Sequence, residues 1–335
     1  MKILLTGSRG YIGRPLTLKL LKYNHKIIGI DNCAREKWVE RVGGNNFKPF
    51  DIEDNNYNEI IGDLTDKDLV NEIFTIHKPE IVIHCASQPS LPYSQINWER
   101  ALYTQINNLS MNLNLLWGIY NNGLNVKKYI LLSTTGIPGQ FYKIIPEDRT
   151  FNCAGSWYHI SRGFDSDNCN LANRQWGIKV VEFRTSIIYG LQTSELKEKG
   201  WSSRFDTDFY FGTALNRFVN QALDNNKITV YGEGNQIKPF ISLEDACQSI
   251  INAIDFPFAQ GHTILNQTTQ EISIKQLAEL IAQSTGAIIE HIPNPRKEKE
   301  DWEMIFDNRD FLKVLGQPKQ LIDIGIKEMI KFLMK

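Results

Sequence analysis

Residues 2–13, KILLTGSRGYIG, carry a short apolar run straight into three glycines spaced Gly7-x-x-Gly10-x-x-Gly13, followed by an amphipathic pattern that ends at Lys22. The pattern predicts a strand, a tight turn and a helix. Gly7 permits the turn, Gly10 lets backbone N–H groups approach a pyrophosphate at the helix N-terminus, and Gly13 allows the helix to pack closely on the strand. Arg9, Tyr11 and Ile12 belong to the same loop and are candidate cofactor contacts through it. A loop of this kind commits the chain to an α/β fold whose parallel sheet carries a dinucleotide at its carboxyl edge. It starts at residue 6, so no segment is expected ahead of the nucleotide domain.

A second apolar strand at residues 26–30 ends in Asp31, with Asn32 next to it. An acidic residue at that point accepts hydrogen bonds from the adenosine ribose, and its charge repels a 2′-phosphate, so NAD is favoured over NADP. Arg35 is near enough in sequence to offer a phosphate an alternative partner.

Strand-like runs at residues 81–84, 128–133 and 180–183 alternate with helical patterns, which is the rhythm of a Rossmann-type, doubly wound parallel sheet. Ligands lie beyond the carboxyl ends of such strands, so Asp63, residues 86–88, 133–136 and 184–186 become candidates. Past Gly190 the pattern turns irregular. Residues 1–190 are therefore assigned to the nucleotide domain, and 191–335 mainly to a smaller α/β substrate lobe, with one return to the main sheet around residues 237–255.

With 335 residues and 42% hydrophobic content, the chain has the means to bury one large core and a smaller one. A net charge of −1 and the lack of a basic cluster give no reason to expect nucleic acid or a membrane surface as partner. No apolar run reaches about 18 residues and no signal-peptide pattern precedes the first strand, so a cytoplasmic protein is expected. The five cysteines show no metal-binding spacing, and neither a metal nor a disulfide is expected.

Thr134 follows the strand at 128–133, and Tyr158 and Arg162 are four residues apart, hence on one helix face. The arrangement resembles the Tyr-x-x-x-Lys site of the extended short-chain dehydrogenase/reductase superfamily, with arginine in place of lysine. That resemblance implies a tyrosine that acts as base on a sugar hydroxyl, beside a cation that binds the nicotinamide ribose and lowers the tyrosine pKa. Arginine keeps the charge but brings a larger planar fork that takes no part in a proton relay.

Residues 84–94 (HCASQPSLPYS), 102–108 (LYTQINN), 156–168 (SWYHISRGFDSDN), 211–218 (FGTALNRF), 230–236 (VYGEGNQ) and 293–296 (PNPR) are similar to the UDP-sulfoquinovose synthase family. By that resemblance, Gly7, Gly10, Gly13, Asp31, Asp63, Leu64, Gln88 and Asn108 surround NAD, with Ala86 and Ser87 in the same loop. Thr134 and Tyr158 bracket the hexose 4-hydroxyl, Gln88 and Thr185 lie beside the sugar, Arg217, Lys238 and Arg296 face the diphosphate, and Val230 and Tyr231 face the base. UDP-glucose and sulfite would be the reactants, reached through a 4-ketohexose, with His159 the candidate for proton transfer near C5 and C6.

The sequence departs from that family at Arg162, at Lys238 where arginine is usual, at Pro89, at Ile137-Pro138 and at Thr185. These departures keep open a 4-epimerase, a decarboxylase or a dehydratase acting on another nucleotide sugar. The usual 4,6-dehydratase has an Asp-Glu pair after its threonine, which here is Thr135-Gly136. A nucleotide-binding regulatory protein with an impaired site is the alternative of another class. Helices around residues 101–120 and 163–176 correspond to the superfamily's dimer interface, with Leu109, Leu113, Leu116 and Trp117 either an apolar stripe there or part of the core.

Overall fold

The structure, a computed structural model, describes residues 1–42, 51–294 and 303–335. Ile3, Leu4 and Leu5 make the first strand, Lys2–Thr6, apolar on both sides, as suits a strand covered by helices above and below. Among the described residues, seven parallel strands form the main sheet. Their order is His262–Gln267, Val180–Thr185, Lys128–Thr134, Ile81–His84, Lys2–Thr6, Lys26–Asp31 and Tyr57–Ile61. Chain order reverses between Lys2–Thr6 and Ile81–His84, so a crevice opens at their carboxyl ends.

Side-chain alternation along the strands divides the core in two. Ile3 and Leu5 pack with Leu16 and Leu20 of helix Gly13–Lys22, with helix Leu243–Asp255 and with Phe311 of helix Arg309–Leu315. Leu4 and Val82 point the other way, into helices Lys67–His77, Trp98–Asn121 and Trp157–Trp176. Each such aliphatic side chain contributes roughly 1.5–3 kcal/mol on burial.

The second lobe has its own core, in which helices Ala214–Asn225, Ile274–Thr285 and Ile322–Leu333 cover two small sheets. One sheet runs Gln270–Ser273, Ile237–Ser242, Ile187–Tyr189, and the other pairs Ile288–Ile292 with Lys227–Tyr231. The strand expected to return to the main sheet, Ile237–Ser242, thus belongs to the lobe. It is held there between Gln270–Ser273 and Ile187–Tyr189, and the return is made instead by His262–Gln267, which pairs with Val180–Thr185 at the edge of the main sheet. Helix Leu243–Asp255 does lie against the main sheet.

The polar end of the returning strand is satisfied inside the protein. The Asn266 amide donates to the carbonyls of Ile145 and Asp307, and Gln267 donates to the Ala246 carbonyl and Ser249 hydroxyl. A buried three-way ion pair also joins domain and lobe: Lys19 Nζ lies 2.9 Å from Glu244 and 3.1 Å from Glu195. No described helix is long and apolar enough to cross a membrane.

Candidate active site

The glycine turn is built as its spacing predicts. Gly7 has φ +69°, and a Cβ there would fall 2.9 Å from the Ala86 nitrogen; at Gly13 a Cβ would meet the Gly7 carbonyl oxygen at 2.0 Å. The helix that begins at Gly13 has no side-chain cap, and its positive end follows directly on the glycine turn, where an anion binds favourably. Asp31 ends the second strand, and its carboxylate accepts the backbone N–H groups of Arg9 at 3.0 Å and Cys33 at 2.8 Å. Asn32 donates to Asp63 at 2.9 Å, joining two neighbouring strand ends. Leu64 is core, and Tyr11 donates its hydroxyl to the Gly190 carbonyl. A loop that excludes every side chain at Gly7 and Gly13 and a strand-end carboxylate beside it suit a dinucleotide.

Across the crevice, Ala86 donates its N–H to Thr6, Ser87 is half-buried, and Gln88 is buried. The Gln88 backbone N–H donates to Asn108, and its side chain is occupied by Thr104 and Ser90. Asn108 in turn donates to Ser161, tying this loop to the helix that bears the tyrosine.

That helix, Trp157–Trp176, is capped by Ser156, whose hydroxyl accepts the His159 N–H. Its first turn therefore stands beside the end of strand Lys128–Thr134, with Tyr158 near Thr134. Burial raises the Tyr158 pKa, while the Arg162 charge and the Thr134 hydroxyl act in the opposite direction. The Arg162 guanidinium is itself buried, donating to Asp165 at 2.6 Å and to the Leu132 carbonyl. His159 packs its ring 5.0 Å from the Tyr158 ring, and burial with the nearby Lys238 charge lowers its pKa to about 4. Thr185 is level with Thr134 on the next strand and donates to Gln267.

Residues 3–266 match the model of the NAD dependent epimerase/dehydratase family. The chain belongs to that family. It is 31% identical to the UDP-sulfoquinovose synthase of Sulfolobus acidocaldarius, across all of this chain and 93% of that one. It is also 31% identical to the chloroplastic UDP-sulfoquinovose synthase of Spinacia oleracea, over 90% of this chain and 68% of that one. The UDP-glucose 4-epimerase of Thermotoga maritima, solved with UDP-glucose, superposes with a TM-score of 0.82 at 21% identity, over 100% and 99% of the two chains.

This member of the NAD dependent epimerase/dehydratase family departs from several sequence expectations. Arg35 pairs with Asp206 and Asp208 at 3.2 Å each and lies over the Phe211 ring, so its charge is engaged by the lobe. Val230 is fully buried in the lobe core, because the strand's alternation turns that side chain inward; Tyr231, the next residue, lies under Arg217. The Gln88 side chain is hydrogen-bonded to Thr104 and Ser90, as described. Of the two readings of Leu116, stripe or core, the structure gives core. Arg296 lies outside the described residues.

Asp165 was not among the sequence candidates. Asp165 sits at i+3 from Arg162, a spacing that signals an ion pair.

Proposed function

We propose that the enzyme modifies the hexose of a nucleotide sugar through a 4-keto intermediate, with UDP-glucose and sulfite as reactants and a sulfonated sugar as product. The observation that carries this reading is the 31% identity to a UDP-sulfoquinovose synthase across the full length of this chain. The grouping of Thr134, Tyr158 and His159 at one strand end supports it.

In this reading the loop of Gly7, Arg9, Gly10, Tyr11, Ile12 and Gly13 holds the NAD pyrophosphate, and Asp31 with Asn32 holds the adenosine ribose. Asp63, Leu64, Ala86, Ser87, Gln88 and Asn108 shape the rest of the groove, and Arg162 acts on the cofactor side through its charge. Bound NAD supplies the acceptor for the hydrogen at C4 and its later return. Tyr158 takes the proton of the 4-hydroxyl, which Thr134 orients. The resulting ketone acidifies C5, loss of the C5 proton and 6-hydroxyl gives an enone, and sulfite adds at C6. Arg217, Lys238 and Arg296 balance the diphosphate, with Tyr231 near the base.

Lys238 in place of arginine, together with Pro89 and Thr185, supports a second reading in which the sugar differs and the enzyme is a 4-epimerase, decarboxylase or dehydratase. The protein acts as a homodimer in the cytoplasm, paired through helices Trp98–Asn121 and Trp157–Trp176. Those helices pack on each other and leave Ile106, Trp117, Phe164 and Leu171 exposed.

The test is mass spectrometry of nucleotides released from the purified protein, then incubation with UDP-glucose with and without sulfite. Released NAD and a sulfite-dependent sulfonated product are expected. A product formed equally without sulfite moves the assignment to the second reading, and failure to take up added NAD overturns the cofactor assignment.

A further inference from the structure

Gly136 closes the turn after strand Lys128–Thr134, its N–H donating to the Thr134 hydroxyl at 3.2 Å. A Cβ built on it would fall 2.5 Å from Nε2 and 2.6 Å from both Cδ2 and Cε1 of His159. Real Cβ atoms do not approach ring atoms so closely, so the imidazole occupies the space in which any side chain at 136 would begin. The His159 backbone is fixed by the Ser156 cap, and its ring lies beside the Tyr158 ring. Neither imidazole nitrogen has a hydrogen-bond partner among the described residues. Burial and the Lys238 charge hold the ring neutral at ordinary pH, with a lone pair to accept a proton.

We propose that Gly136 is the specificity-determining residue for the chemistry after C4 oxidation: having no side chain, it seats the His159 imidazole beside Tyr158 as the base for C5. The assignment rests on the 4-keto reading above. In this step a ring nitrogen takes the C5 proton, the C5–H electron pair passes into the C4 carbonyl as an enolate, and N–H forms. The enolate then returns to the ketone as C5=C6 forms and the C6–O bond breaks. The departing oxygen takes the proton back from the imidazolium, so one water is lost and neutral histidine is restored. No oxidant or reductant enters the step.

Gly136→Ala tests this, because it adds one methyl group and leaves His159 in the chain. Gly136 is not in the left-handed region, so alanine suits the backbone. Two readouts separate the proposal from the reading beneath it. In the resting protein, the His159 ring titration is followed by NMR, with His159→Asn assigning the signal. The midpoint is expected to rise from about 4 in the wild type towards the ordinary histidine value in Gly136→Ala. An unchanged titration overturns the seating of the ring, whatever the substrate.

With UDP-glucose in deuterated water, C5 exchange is compared with C4 oxidation, the latter read from nicotinamide absorbance. The ratio of the two is expected to fall about 100-fold or more in both Gly136→Ala and His159→Asn. Equal losses in both activities would leave Gly136 a structural residue and overturn the proposal. C4 oxidation by the wild type without C5 exchange overturns the histidine's role and leaves the 4-keto reading standing. Failure of the wild type to oxidise any UDP-hexose overturns that reading and the C5 step with it.

Discussion

The Arg162 guanidinium donates to the Asp165 carboxylate at 2.6 Å, with both side chains buried and the rest of the fork on the Leu132 carbonyl. The pair acts on the Tyr158 phenol from within the protein, the cation lowering its pKa and the carboxylate raising it, with the cation the stronger. Replacing both residues by apolar ones, in Arg162→Met with Asp165→Leu, is expected to leave stability unchanged or raise it by about 1–4 kcal/mol. Arg162→Met alone is expected to cost about 3–5 kcal/mol, since Asp165 then stays buried and unpaired. In the double variant the acid limb of the pH–rate profile should move to higher pH, because the stronger, pKa-lowering charge is lost. A limb that stays in place would show that Tyr158 does not titrate in that step.

Arg162→Lys should not restore a better enzyme. An ammonium is a point charge and does not span Asp165 and the Leu132 carbonyl as a planar fork does. An unmade hydrogen bond to the buried carbonyl is expected to cost about 1–3 kcal/mol in urea unfolding, with a lower kcat. A gain in kcat would mean that arginine impairs this site.

Gly13→Ala places a Cβ 2.0 Å from the Gly7 carbonyl oxygen, and backbone on backbone has no side chain to yield. The variant is expected to lose NAD, measured as nucleotide released per mole of protein. Retention at the wild-type level would show that the turn opens without cost.

Glu147 accepts the N–H groups of Asn266, Asp310 and Phe311, and burial pushes its pKa up to about 7. Its folded pKa thus exceeds the unfolded value of about 4.3. Between those values the native state holds a proton that the unfolded chain has released, so this group makes stability fall as pH rises from about 4 to 7. Asp165, also raised to about 7, acts in the same direction. Urea unfolding at pH 5 and pH 8 should show a larger loss in the wild type than in Glu147→Gln. Equal losses would remove Glu147 as a contributor.

Ile106→Glu combined with Phe164→Glu puts charge on the exposed apolar side of the paired helices. Light scattering after size exclusion should give a dimer for the wild type and a monomer for the variant. A variant that stays dimeric would place the contact elsewhere.

The glycine turn and the strands beside it were legible because their signals are local: fixed spacing, and apolar runs bounded by turns. Tyr158 and Thr134 were legible through the same locality, one helix face and one strand end. The returning strand was not, because Thr263, Asn266 and Gln267 make His262–Gln267 polar, and the groups that pair with Asn266 and Gln267 lie far away in the sequence. Lys19 gave no sign either. A lysine in an amphipathic helix signals a solvated face, yet two carboxylates far along the chain draw this one inside. The imidazole over Gly136 was hidden for the same reason: a missing side chain matters only once a neighbour is known to fill its place.

The returning strand also sets an order of events during synthesis. Val180–Thr185 leaves the ribosome long before its outer partner, His262–Gln267, so the parallel sheet waits with an open edge while the first part of the lobe is made. Residues 186–261 form a loop between these two stem strands, and the rest of the lobe, from Gln270–Ser273 onward, is made after the stem. Closing it covers the edge on which a neighbouring nascent chain would otherwise pair.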